Sequence, residues 1–118
     1  MTDSSDHVYW TWEATLQPGK EDGFKELAEK WTEIASDDPN TLYNNWTISE
    51  DGIAVRVDQR FVDADAAMAQ FRVNTLWGQL DDYVSPTSMV VCGKTNEALD
   101  FLREHGAKFM VPISDSEA

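Results

Sequence analysis

The sequence predicts an α+β fold with the element order β-α-β-β-α-β, and three observations predict it. An aromatic, alternating run opens the chain at Val8 to Gln17. A strongly amphipathic stretch follows Pro18-Gly19. An Asp51-Gly52 turn then separates two further alternating runs.

The first run places Trp10, Trp12, Ala14 and Leu16 on one side and Thr11, Glu13 and Thr15 on the other, which is the period of a strand. Pro18-Gly19 breaks it and opens a helix. Phe24, Leu27, Ala28, Trp31, Ile34 and Ala35 form the apolar stripe of that helix, and the residue before Pro39 stops it. Leu42 to Ser49 and Ile53 to Phe61 form a hairpin. Leu42, Trp46 and Ile48 alternate with Tyr43, Asn45 and Thr47, and Ile53, Val55, Val57 and Phe61 with Arg56, Asp58 and Arg60.

Asp63 is an N-cap for a second helix, whose stripe is Ala64, Ala67, Met68 and Phe71. A shorter helical stretch carries Leu76, Trp77 and Leu80. Ser88 to Cys92 reads as a fourth strand, a third helix is expected from about Thr95 to Glu104, and Phe109-Met110-Val111 ends the series as a short extended run. This order is the split-βαβ, ferredoxin-like pattern with a C-terminal helix and short strand appended. Right-handed crossovers place both main helices on one face of an antiparallel sheet. The other face, with Tyr9, Tyr43, Met89 and Val91 expected on it, then needs a cover, and a second copy about a two-fold axis is the simplest one.

Composition narrows the partners. The 118 residues leave room for one core, and the 42% hydrophobic fraction is that of an ordinary globular chain. Five Trp, three Tyr and five Phe are enough for a core and an interface. Residues 8–113 are expected to form the domain, with 1–7 and 114–118 as tails. A net charge of −13 without any basic cluster argues against nucleic acid and anionic membranes. No apolar run approaches the roughly 20 residues of a membrane span, and Met1 to His7 lacks the features of a secretory leader. The lone Cys92, in an apolar run, fits a buried thiol in a reducing compartment, so a cytoplasmic location is expected.

Leu42 to Gly52 resembles the second strand and turn of antibiotic-biosynthesis-monooxygenase-like domains, and Arg60 to Ala67 the strand-to-helix junction of that family. Pro18-Gly19-Lys20 followed by Phe24, and Leu99 to Leu102 through Phe109 to Pro112, are similar to its remaining landmarks. The resemblance spans roughly residues 8–113 and rests on strands, turns and caps. It implies a dimeric α-β barrel. In some members aromatic and amide side chains orient a quinol-like substrate whose own anion supplies electrons to oxygen; others degrade haem. The second helix of relatives often carries a His where Gln70 stands here. The two histidines of this chain are His7 and His105, so no haem, metal or other cofactor is expected.

Two candidate sites follow. The first lies between sheet and second helix, with Trp12, Trp46, Phe61, Gln70, Asn74 and Trp77 as ligand-binding residues for a flat aromatic molecule, or as core aromatics with two surface amides. The second is the charged strand face of Glu13, Asn45, Arg56, Asp58 and Arg60, an acid–base site or an ion-pair network at a dimer interface. No catalytic residue is assigned. The functional expectation is a cofactor-independent monooxygenase-like protein acting on a small aromatic substrate. The alternative is a non-catalytic ligand-binding or structural homodimer.

Overall fold

A computed structural model describes residues 6–73 and 75–114, with the side chains at 71–73, 75 and 77 outside the described set. Its order is β1 (Val8–Leu16), α1 (Glu21–Ser36), β2 (Thr41–Ile48), β3 (Ala54–Phe61), α2 (Ala64–Val73), a 3-10 helix (Thr75–Asp82), β4 (Val84–Gly93), a 3-10 turn (Glu97–Leu99), α3 (Phe101–Glu104) and β5 (Lys108–Met110). The strands form one sheet in the order β2-β3-β1-β4-β5. All pairings are antiparallel except that of β5, which runs parallel to β4 at the edge. This is the predicted ferredoxin-like arrangement with its C-terminal appendage.

The inner face carries the core. Val8, Trp10, Trp12, Ala14 and Leu16 of β1 are all buried. Phe24, Leu27, Trp31 and Ala35 of α1 close over the inner face. Trp46 of β2 meets Trp31 at 5.1 Å and Phe24 at 5.7 Å between ring centroids, while Trp10 meets Phe61 at 4.7 Å. Tilted pairs of this kind add about 0.5–1.5 kcal/mol each beyond the area they bury. Ile34 and Ile53, expected in the buried sets, are 38% and 56% exposed, at the margin of this cover.

Local signals formed as their chemistry dictates. The Asp63 carboxylate accepts the Ala66 N–H at 2.8 Å and caps α2. In the hairpin, Gly52 takes a φ of 75° and the Asp51 carboxylate accepts from the Ser49 hydroxyl and from the Ile53 N–H. Those two bonds hold the Asp51 carboxyl below its ordinary value.

Two expectations are corrected. Met89 and Val91 lie on the inner face, 7% and 0% exposed, because pairing sets them opposite Trp12 and Trp10. Val90 and Cys92 take the outer face instead, since a one-residue difference in register exchanges every side chain between faces. The third helix is broken into Glu97–Leu99 and Phe101–Glu104. Asn96 accepts the Ala98 N–H at 2.9 Å, and only Leu99 and Leu102 are buried, too short a stripe to sustain a continuous helix.

Candidate functional site

The irregular part of β4 opens the inner face. Glu13 pairs with Ser88 but Ala14 pairs with Pro86, so Thr87 is the extra residue of a bulge. Proline has no N–H for a ladder, and a bulge is where a strand tolerates it. The 3-10 helix passes on one side of this bulge and α3 on the other. Between them lies a cavity of about 450 Å³. Trp12, Leu80, Met89 and Leu102 form its buried end; Asp81, Thr87, Ser88 and His105 line its exposed end, with Phe101 partly buried among them. Its size and its mostly apolar wall suit one small ring-containing ligand.

Asp81 and His105 are the titratable groups on this wall among the described residues. The His105 ring stands edge-on to Phe101, one helical turn earlier, at 6.4 Å and 84°. Among the described residues no cluster of three or more His, Cys, Asp or Glu side chains is placed to hold a metal ion.

Among the described residues of the first predicted site, Trp12 alone lines this cavity. Its other side shares with Trp10, Trp31, Trp46, Val57, Gln59 and Leu80 a gap of only about 10 Å³, so the tryptophan cluster toward Trp46 is packed nearly solid. Phe61 is fully buried beside Trp10. Gln70, 2% exposed, donates to the Asp38 carboxylate at 3.0 Å and the Thr41 hydroxyl at 3.2 Å, tying α2 to the loop before β2 and to the first residue of that strand. Asn74 and the Trp77 side chain lie outside the described residues.

The second predicted set shares the outer face. Pairing puts Glu13 opposite Arg56, Thr11 opposite Asp58 and Tyr9 opposite Arg60, with Asn45 beside Asp58. Arg56 pairs with Asp58 of its own strand at 3.3 Å, and Asp58 also accepts the Thr11 hydroxyl at 2.7 Å. Arg60 lies 4.8 Å above the Tyr9 ring and donates to His7 Nδ1 at 2.9 Å. Cys92 is on this face, and burial pushes its thiol above the ordinary value. The described strand residues of the two sets therefore occupy opposite faces of the sheet.

MupZ from Pseudomonas fluorescens superposes with a TM-score of 0.78 at 17% identity, covering 95% of this chain and 94% of that one. SnoaB, a cofactor-independent oxygenase from Streptomyces nogalater, gives 0.64 at 12% identity over 77% of this chain and 95% of its own. A protein from Nitrosomonas europaea, provisionally an antibiotic biosynthesis monooxygenase, gives 0.68 at 15% identity over 82% and 98%. The chain has the antibiotic-biosynthesis-monooxygenase-like fold. No family model and no curated protein matches it by sequence. At these identities the likeness is one of fold, and the antibiotic-biosynthesis-monooxygenase-like scaffold carries chemistry only through what lines its cavities.

Sequence reasoning missed Met89, Phe101 and His105 at the cavity and Gln59 in the tryptophan cluster. Two signals were available. Phe101 and His105 are four residues apart, the spacing of one helical face, and Pro86 interrupts an otherwise strand-like run.

Proposed function

We propose that the protein is a cofactor-independent monooxygenase-like enzyme that takes a small hydroxyaromatic, quinol-like substrate into the cavity above Trp12. The observation that carries this reading is the cavity itself, large enough for a fused ring and apolar at its buried end. Likeness in fold to an oxygenase that works without a cofactor supports it. A phenol carbon and one O₂ yield a quinone and one water, so the substrate provides all four electrons. The protein's part is to hold the ring, exclude bulk water and manage the phenolic proton.

Oxygen uptake with a dihydroxynaphthalene, in the absence of added cofactor, tests the proposal. The wild type should consume oxygen, and Met89→Trp, which fills the cavity, should lose nearly all of that rate while keeping its circular dichroism spectrum. Undiminished uptake by the filled variant would place the chemistry elsewhere.

A non-catalytic ligand-binding reading is favoured by one feature: among the described residues, the buried end of the cavity carries no titratable side chain. Binding of the naphthalene diol without oxygen uptake would select it.

We also propose that two copies meet through the outer sheet face. What supports this is its charge. Pairing places Arg56, Arg60 and Lys108 there against Glu13 and Asp58, whereas the whole chain carries −13. Association of two acidic molecules is least opposed across that face.

A further inference from the structure

Building on the cavity reading, we propose that His105 is the proton acceptor of the cavity, and that its ligand is a small aromatic bearing an acidic hydroxyl. The polarity of the cavity runs in one direction. Trp12, Leu80, Met89 and Leu102, at 3–8% exposure, form one end. Asp81, Thr87, Ser88 and His105, all exposed, form the other. An amphipathic ring enters apolar edge first, and its hydroxyl stops at the level of the exposed groups. Among those groups imidazole is the strongest base, suited to a hydroxyl that its own ring has made acidic, as in a nitrophenol, rather than to an ordinary phenol. Serine and threonine hydroxyls do not take up a proton near neutral pH, and a carboxylate is several units too weak.

The backbone around His105 is well held. α3 closes with the His105 N–H donating to the Leu102 carbonyl at 3.0 Å and the Gly106 N–H to the Arg103 carbonyl at 3.1 Å. Gly106, at a φ of 85°, then turns the chain toward β5. Phe101 limits the swing of the imidazole from one side. No hydrogen bond engages either ring nitrogen among the described residues, so the ring is available to a ligand.

In the step proposed, the phenolic O–H bond breaks and an N–H bond forms on the imidazole. A phenolate paired with an imidazolium results, and no electron changes hands. Apolar walls, Asp81 and the net charge of −13 all disfavour a bare anion in this cavity, so the new cation is what keeps the phenolate there.

A nitrophenol reports this directly, because its phenolate absorbs at longer wavelength than its phenol. Bound to the full chain, the probe should ionise at a midpoint about one pH unit or more below that in His105→Gln. Affinity for the neutral phenol at low pH should differ less than about threefold between the two proteins. Equal midpoints would overturn the role of His105 and leave the cavity reading standing. Failure of both proteins to bind at millimolar concentration would overturn the cavity reading, and this inference with it. A shifted midpoint without oxygen uptake from any hydroxyaromatic would remove the oxygenase reading and retain the proton acceptor.

Discussion

Gly93 and Gly106 share the left-handed region, with φ of 100° and 85°, yet their surroundings differ. A Cβ on Gly93 would press into the His7 carbonyl oxygen, whereas one on Gly106 would meet nothing within 4 Å. Gly106→Ala should therefore cost about 1 kcal/mol of backbone strain, and Gly93→Ala distinctly more, measured by urea unfolding. Gln59 is the other decisive residue of this kind. It is 3% exposed, accepts from Trp10 Nε1 at 2.7 Å and donates to the Asn44 side-chain oxygen at 2.7 Å. Gln59→Met keeps the volume, loses both bonds, and should destabilise by about 1–3 kcal/mol. For Cys92, a thiol raised by burial stays protonated at neutral pH, so alkylation there should be slow. The unfolded chain releases its thiol proton first, so this group leaves stability unchanged below about pH 8.5 and erodes it above. A chemical-denaturation series across that range measures the effect.

At the scale of elements, strands and helices were legible wherever one periodicity ran long enough. β1 and α1 were read correctly because each buries most of one face, so burial and local preference agree; the β2–β3 hairpin was legible from its Asp51-Gly52 turn, whereas Leu42 and Ile48 of β2, expected on one side with Trp46, are 45% and 37% exposed. β4 was only partly legible. Its Ser85-Pro86-Thr87-Ser88 stretch has no apolar alternation, and the bulge depends on pairing with β1. The bulge residues Pro86, Thr87 and Ser88 line the cavity. Deleting Thr87 would leave Pro86 and Ser88 opposite Ala14 and Glu13 in regular register. The deletion variant should keep the sheet but bind a nitrophenol at least about tenfold more weakly, a loss of about 1.4 kcal/mol by calorimetry.

For the whole molecule, the prediction concerns assembly. Tyr43 and Met110 on the outer face are 52% and 48% exposed, and Val111 and Ile113 beyond β5 are 82% and 103% exposed. A dimer through this region should bury more than roughly 2,000 Å² in total and persist at micromolar concentration in sedimentation experiments. Because each copy carries −13, raising the salt from low ionic strength should tighten the dimer by screening its net repulsion. A monomer under all salt conditions would dispose of the two-copy proposal.

The sequence by itself determined the α+β class, the order of the principal elements, the inner face of β1, the hairpin turn and the cap on α2. Each of these depends on residues close together in the chain, where period, turn chemistry and capping act directly. Tertiary structure alone decided which face Met89 and Val91 occupy, that the tryptophan cluster is packed nearly solid, and that Trp12 and His105 line one cavity. Those outcomes depend on the register between strands distant in sequence and on how α3 folds back. The physical reason is that side-chain direction alternates with every residue, so a single bulge re-aims part of a strand while leaving its composition unchanged.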